Sequence, residues 1–246
     1  MSRCAFLLLA LYAEAAAADS LRCKDVATAP RSGLCGAFDA APRADAKDPT
    51  VAKVTAVWRR VRGPMAAMTG RETALAVLAP TAQVLGKTPS PAAYLCPGAP
   101  PTVYVPWSLV ERVYLGGAYP EDFLAFVLGH ELGHRVNDVT VDGCQLAAFQ
   151  RPGQGKLEEA LADARGAFFA AVGGFSTRSV AREDLVDHFL ESEFKVREEA
   201  RQTRRDALLG ALSRFDAYEQ VYETALAMAF GGSHDAAARL LGWADE

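Results

Sequence analysis

The chain has 246 residues, of which 50% are hydrophobic and 23% are charged. This composition is typical of a water-soluble globular protein and excludes collagen-like, wholly disordered and multi-span membrane proteins. The net charge is −4, and no basic block stands clear of acidic neighbours, which argues against a nucleic-acid-binding protein. Alanine-rich segments and only 9% aromatic residues favour helices over an all-β architecture.

Residues 1–18 have the pattern of a secretory signal peptide. Arg3 supplies a short basic region, an apolar stretch follows over residues 4–13, and small alanines suit cleavage after Ala18. The apolar stretch is too short to cross about 30 Å of hydrocarbon, so we expect cleavage rather than an anchor helix. The sequence therefore predicts export to the periplasm or the exterior, with no integral membrane span after signal cleavage.

Export changes the interpretation of the cysteines, because an oxidising compartment favours disulfides. Cleavage would leave Cys23, Cys35, Cys96 and Cys144. We predict the disulfides Cys23–Cys35 and Cys96–Cys144, because this pairing joins near neighbours in a short N-terminal segment and leaves a second pair in the core. The other two connectivities and free buried thiols are the alternatives. A four-cysteine metal site is disfavoured because the chain has no close C-x-x-C pair.

The chain after the signal begins with a segment of low periodicity. Residues 19–50 predict a loop-rich lead-in pinned by a disulfide. Apolar residues at helical spacing then predict a core-facing helix over residues 51–61, which Gly63 and Pro64 would end. We expect a core over residues 51–190 and a C-terminal helical segment over residues 191–246.

The next elements predict a small sheet. Short apolar runs within residues 75–85 and 92–95 indicate strands, because prolines and glycines interrupt them. Thr102-Val103-Tyr104-Val105 alternates and is rich in β-formers, and Pro106 after it suits an exposed edge strand. Residues 107–115 predict a short helix.

Two stronger helices follow, at about residues 120–136 and 156–172. The first opens with Pro120 and two acidic residues that complement the helix dipole, and a long apolar run continues it. Glycines flank the second. Together these elements predict an α+β fold that is helix-dominated, with a small sheet.

His130-Glu131-Leu132-Gly133-His134 is an H-E-x-x-H motif within the first of these helices. Residues four apart lie on one helical face, so both imidazoles can bind one metal ion. Zinc lowers the pKa of a bound water to about 7, and Glu131 can take the proton of that water without itself binding the ion. The motif predicts a catalytic zinc, and the alternative is a helix with two unconnected surface histidines.

A catalytic zinc requires a third protein ligand. The sixth residue after the motif is Thr140 rather than histidine, which excludes a metzincin. On the second strong helix, Glu159 and Asp163 lie on one face, so Glu159 can bind zinc while Asp163 orients a ligand histidine. Small residues on the facing sides of both helices would allow their close approach. Glu158 and Asp142 are alternative ligands.

The motif and the downstream E-A-L-A-D segment resemble the gluzincin metallopeptidases, nearest the HtpX-like and CAAX-prenyl endopeptidase family. Residues 92–98 resemble that family's N-A-x-x-x-P-G segment, and a strand, a short helix and the zinc helix follow in the same order. Gly173-Gly174-Phe175 stands where the family often has A-G-Y or A-G-F. The resemblance covers about residues 51–190. It implies a zincin-like core with one zinc per chain, held by His130, His134 and Glu159, and Glu131 as general base.

The resemblance also bears on substrate binding. We expect the substrate backbone to pair as an added strand along Thr102-Val103-Tyr104-Val105. The family's late histidine-proline element, associated with stabilising the oxyanion, has no clear counterpart in this sequence. The charged stretch over residues 195–205 predicts a solvated helix face. The candidate oxyanion donors are His188, Tyr218, Tyr222 and His234.

These observations predict an exported zinc-dependent endopeptidase that acts on a peptide or protein substrate. The alternative is a zinc-site pseudoenzyme that serves as a chaperone-like or scaffold module through its C-terminal helices. The presence of Glu131 favours the enzyme, because a structural zinc site does not need a base. A third possibility is a latent enzyme held shut by residues 19–50.

Overall fold

The computed structural model describes residues 33–89, 92–98, 100–137, 139–141, 144–146, 155–193, 198–232 and 234–235. The predicted signal peptide, Cys23 and Asp142 lie outside these ranges. The side chains of Cys144, Glu158, Tyr218 and Tyr222 also lie outside the described part.

The described residues form a helix-dominated α+β fold with a small mixed sheet, as the sequence predicts. Among its helices, none combines the length and the apolar character that crossing a lipid bilayer requires. The helices are α1 (Gly33–Ala40), α2 (Pro49–Thr69), α3 (Trp107–Tyr114), α4 (Glu121–Asn137), α5 (Gly155–Val172), α6 (Thr177–Val180), α7 (Glu183–Glu193) and α8 (Glu198–Phe230). The strands are β1 (Ala74–Val77), β2 (Tyr94–Cys96), β3 (Thr102–Val105), β4 (Val139–Val141) and β5 (Cys144–Leu146).

The main sheet has the strand order β1-β3-β2. β1 runs parallel to β3, and β2 runs antiparallel to it. The prediction that Thr102–Val105 is an exposed edge strand is therefore wrong, because this strand is central. Pro106 is compatible with a central position because it follows the last paired residue and takes the N-cap position of α3. It therefore removes no ladder hydrogen bond.

Helix α2 is longer than the sequence predicts. The Asp48 side chain caps its first turn by accepting a hydrogen bond from the Thr50 amide at 2.7 Å. The helix passes through Pro64 and ends at Gly70, whose left-handed backbone closes the last turn. Burial of Met65 in the core offsets the hydrogen bond lost at the proline.

The lead-in contains a short helix, α1, that packs on one face of the sheet. The Phe38 ring lies 4.8 Å from the Tyr94 ring and 5.3 Å from the Tyr104 ring, measured between centroids. The Tyr104 hydroxyl donates a hydrogen bond to Asp39. The three aromatic residues belong to a second hydrophobic cluster, separate from the main core, which we call the N-terminal cluster. Its buried members are Cys35, Phe38, Ala41, Leu78, Ala82, Val84, Cys96 and Tyr104.

The structure has a disulfide between Cys35 and Cys96, whose Cα atoms are 5.6 Å apart. The predicted pairs Cys23–Cys35 and Cys96–Cys144 are therefore wrong, because their members Cys35 and Cys96 are joined to each other. The physical reason is that α1 packs against the face of the sheet that carries Cys96. This contact brings together cysteines that are 61 residues apart in the chain.

Helices α4 and α5 make the closest contact between elements near the predicted metal site. A Cβ atom added at Gly129 would lie 2.7 Å from the Gly166 carbonyl oxygen. One added at Gly133 would lie 2.8 Å from both the Cα and the carbonyl oxygen of Ala162. The two backbones therefore touch where larger residues would hold them apart, as the small-residue pattern predicts.

Replacing Gly133 by alanine is expected to destabilise the protein by about 1–3 kcal/mol, because rigid backbone atoms occupy the space of the new methyl group. Gly210→Ala on α8 is the matched control, since nothing lies within 4 Å of its added Cβ. There, the better helix propensity of alanine should stabilise the protein by up to about 1 kcal/mol. Urea unfolding of both variants measures the difference. A Gly133→Ala variant as stable as Gly210→Ala would contradict the close packing.

Candidate metal centre

Three side chains from α4 and α5 converge to form a group that could hold a metal ion. His130, His134 and Glu159 each offer one ligand atom, and these atoms lie within 4.8 Å of one another. The Nε2 atoms of the two histidines are 3.1 Å apart, and the Glu159 carboxylate oxygens lie 3.5 Å from Nε2 of His130 and 3.8 Å from Nε2 of His134. Two imidazoles and a carboxylate form a donor set that suits zinc.

Asp163 contacts His130 on the side of its ring that faces away from the three candidate ligands. Its Oδ1 lies 2.8 Å from Nδ1 of His130, which orients the ring and leaves Nε2 directed at the group. Burial alone would raise the pKa of Asp163, but hydrogen bonds from Arg204 and His130 outweigh this effect and lower it. Asp163 is therefore a buried anion that holds His130 in place.

Glu131 lies beside this group without belonging to it. Its Oε2 accepts a hydrogen bond from the backbone N–H of Leu95 at 2.7 Å. Burial raises the pKa of Glu131, although the neighbouring His130 and His134 and the Leu95 hydrogen bond act in the opposite direction. A carboxylate with a raised pKa is a stronger base than an exposed one.

Arg204 on α8 is a site residue that sequence reasoning missed. Its guanidinium donates two hydrogen bonds to Asp163, at 2.8 and 2.9 Å, and its Nη2 lies 3.1 Å from Oε2 of Glu159. The prediction of a solvated face over residues 195–205 is thus wrong at Arg204, which is 9% exposed. Two adjacent arginines are alike in sequence, but Arg205 pairs with the more exposed carboxylates of Glu183 and Asp187 instead.

The described candidate oxyanion donors lie away from the group. The His188 ring packs 5.0 Å from the Tyr119 ring, just before the start of α4, whereas the metal group lies in the C-terminal half of that helix. His234 is exposed beyond the end of α8. The side chains of Tyr218 and Tyr222 lie outside the described part. The structure therefore brings neither described candidate to the site.

The strand that reaches the candidate site is β2 rather than β3. The predicted substrate strand has neighbours on both sides, so its backbone groups are already paired. Val103, Tyr104 and Val105 are also fully or almost fully buried. By contrast, the Leu95 amide of β2 is directed at Glu131 and away from β3. The prediction that a substrate pairs along Thr102–Val105 is accordingly wrong.

Compared with protein-family models, with curated proteins and with solved structures, the chain gives no significant match to any of them. The resemblance to gluzincin metallopeptidases therefore rests on the sequence motifs and stays a prediction.

Proposed function

We propose that this protein is a zinc-dependent endopeptidase with a zincin-like core. The observation that carries the proposal is the position of Glu131, a buried carboxylate beside a two-histidine, one-carboxylate group that does not include it. A structural zinc site is normally closed by four protein ligands, whereas a catalytic one has three and an open position. The Cys35–Cys96 disulfide supports an exported protein, because disulfides persist in oxidising compartments.

The proposed mechanism assigns a separate task to each residue. Zinc bound by His130, His134 and Glu159 would activate water and polarise the scissile carbonyl. Glu131 accepts the proton of the attacking water and delivers it to the leaving amine. The Leu95 amide occupies Oε2 of Glu131, so Oε1 is the oxygen that holds this proton.

The remaining charged residues organise the site. Asp163 keeps His130 in the tautomer whose Nε2 faces the ion, through its contact with Nδ1. Arg204 compensates the negative charges of Asp163 and Glu159, which would otherwise repel each other in a buried site. Neither residue takes part in proton transfer in this mechanism.

Within the described ranges, no strand pairs with the side of β2 opposite β3, and this side lies next to Glu131. In the antiparallel register, Leu95 lies opposite Val103, and its N–H is directed away from that partner toward Glu131. Because Glu131 already accepts from that N–H, a peptide beside β2 could accept no bond from it, and its own backbone would instead lie next to Glu131. We therefore assign substrate pairing to β2 in place of β3.

A scaffold function without catalysis is the second candidate. It is favoured by the finding that neither His188 nor His234 reaches the metal group, so the described residues include no oxyanion donor from the predicted set. This candidate predicts zinc binding without hydrolysis.

Hydrolysis of a broad library of quenched peptides by the zinc-loaded protein tests the proposal. We expect cleavage that disappears on removal of the metal with a chelator and returns on addition of zinc. Stoichiometric zinc binding with no cleavage of any peptide would contradict the proposed function and support the scaffold.

A separate prediction concerns the ligand set. Wild type is expected to bind one zinc per chain, and His134→Ala and Glu159→Ala are each expected to lose most of it, because a three-ligand site has no spare donor. Glu158→Ala is the control on the neighbouring residue and should retain the metal. Metal analysis after gel filtration gives the stoichiometry. Equal losses from Glu158→Ala and Glu159→Ala would refute the assignment of Glu159.

A further inference from the structure

Strand β2 connects the N-terminal cluster to the candidate site. The side chain of Cys96 is buried in the N-terminal cluster, and Tyr94 packs against it. Leu95, between them, packs against the main core, as expected for alternating side chains along a strand. Leu95, whose backbone N–H holds Glu131, is therefore joined by a peptide bond to Cys96, which forms the disulfide.

The position of β2 is held weakly by the sheet itself. The strand is three residues long, and β3 is its only partner among the strands that the structure describes. Residues Pro97 and Gly98 follow it directly. A strand of this length at an edge has few ladder hydrogen bonds, so local opening costs little free energy.

The disulfide joins β2 to a segment that is anchored at the other edge of the sheet. Helix α1 leads into a stretch whose backbone bonds to the end of β1 and the residues after it, since the Ala44 amide donates to Val77 at 3.0 Å and the Ala79 amide donates to Pro42 at 2.9 Å. Cys35 thus belongs to a segment that has anchors besides its contacts with β2, and both cysteines are buried.

We propose that Cys35 and Cys96 are positioning residues for Glu131. Their disulfide holds β2 in the place where the Leu95 amide bonds the Glu131 carboxylate, so that the orientation of the base depends on an oxidised pair remote from the chemistry. The expected effect on catalysis rests on the proposed function, whereas the Leu95–Glu131 contact does not.

The chemistry of the disulfide makes this dependence redox-sensitive. A dithiol reductant transfers two electrons and two protons to the pair, becomes a cyclic disulfide and leaves Cys35 and Cys96 as thiols. No atom of the metal group takes part. Reduction is therefore expected to release β2 while the metal ligands remain in place.

Amide hydrogen exchange of Leu95 is the main test of the proposal, and peptide hydrolysis is the second readout. The Cys35→Ala/Cys96→Ala double variant is compared with wild type. The internal reference is Phe175, a residue of the main core whose amide bonds Ala170 at 3.0 Å. We expect Leu95 exchange to rise at least tenfold in the variant, with Phe175 exchange and zinc content retained and kcat reduced more than KM is changed. Leu95 exchange within twofold of wild type would overturn the proposal.

Two further samples separate positioning from general stabilisation. Asp39→Asn weakens the contact of α1 with Tyr104 but keeps the disulfide, and it should leave Leu95 protected. If the double variant does not fold, wild type is reduced with dithiothreitol under native conditions and exchange is followed over time. Loss of Leu95 protection before that of Phe175 supports the proposal, and simultaneous loss of both overturns it.

The same measurements distinguish failure of this inference from failure of the proposed function. A protein that binds zinc, cleaves no peptide and loses Leu95 protection on reduction would disprove the endopeptidase and retain the positioning by the disulfide. If the wild type cleaves peptides and the double variant has unchanged Leu95 exchange and unchanged kcat, the endopeptidase is retained and the positioning by the disulfide is disproved.

Discussion

Glu131→Gln is expected to lower kcat by about 10²–10⁴-fold while the protein still folds and binds zinc. Glutamine has nearly the same shape, and its carbonyl oxygen can still accept the Leu95 hydrogen bond, but it cannot take a proton from water. Because Glu131 is outside the ligand group, removal of its charge leaves the three donors unchanged. Peptide hydrolysis at full zinc occupancy measures the effect.

The matched control is Glu121→Gln in the first turn of the same helix. Glu121 accepts a hydrogen bond from the Tyr114 hydroxyl at 2.8 Å and has no contact with the metal group. This variant should retain essentially full activity. Retention of more than about a tenth of wild-type kcat by Glu131→Gln would show that another residue is the base.

Arg204→Met is expected to destabilise the protein by about 3–5 kcal/mol at neutral pH. Methionine fills part of the space, but it leaves Asp163 as a buried charge without its cation, which is costlier than loss of an exposed ion pair. Glu159 loses the same partner. Urea unfolding of the metal-free proteins measures the change without a contribution from zinc binding.

The loss of stability in Arg204→Met should depend on pH because the pKa of Asp163 is lowered in the folded protein. A carboxyl group with a pKa lower in the folded than in the unfolded state stabilises the fold above the unfolded pKa, and this contribution disappears as pH falls through the folded pKa. The difference in free energy of unfolding between wild type and Arg204→Met should therefore become smaller as the pH is lowered. Arg205→Met is the control, because its partners are surface carboxylates, and it should change stability little. Equal losses from both variants would contradict the role of the Arg204–Asp163 pair.

The parts of the site that lie within single helices could be predicted from the sequence. The spacing of His130 and His134 places them on one face of α4, and the spacing of Glu159 and Asp163 does the same on α5, because helical geometry is local. The facing glycines also indicate that the two helices meet. These local rules account for all three members of the group that could hold a metal.

The errors concern contacts between segments that are distant in the chain. Pro106 after β3 suggests an edge strand, but β3 lies between β1 and β2, since strand order depends on packing of the whole sheet. Cys96 pairs with Cys35 because α1 folds onto the sheet, although the segment around α1 has no clear periodicity. Arg204 was missed for the same reason, because its partners are on a different helix.

The contact of Arg204 with Asp163 also sets an order of events during synthesis. Arg204 follows Asp163 by 41 residues, so at common rates of translation it is added about 2–8 s later. Until then, a nascent chain contains the two histidines, Glu159 and Asp163 without the cation that contacts both of these carboxylates. The contacts that Arg204 makes with Asp163 and Glu159 can therefore form only after the segments that carry the histidines and these carboxylates have already been made.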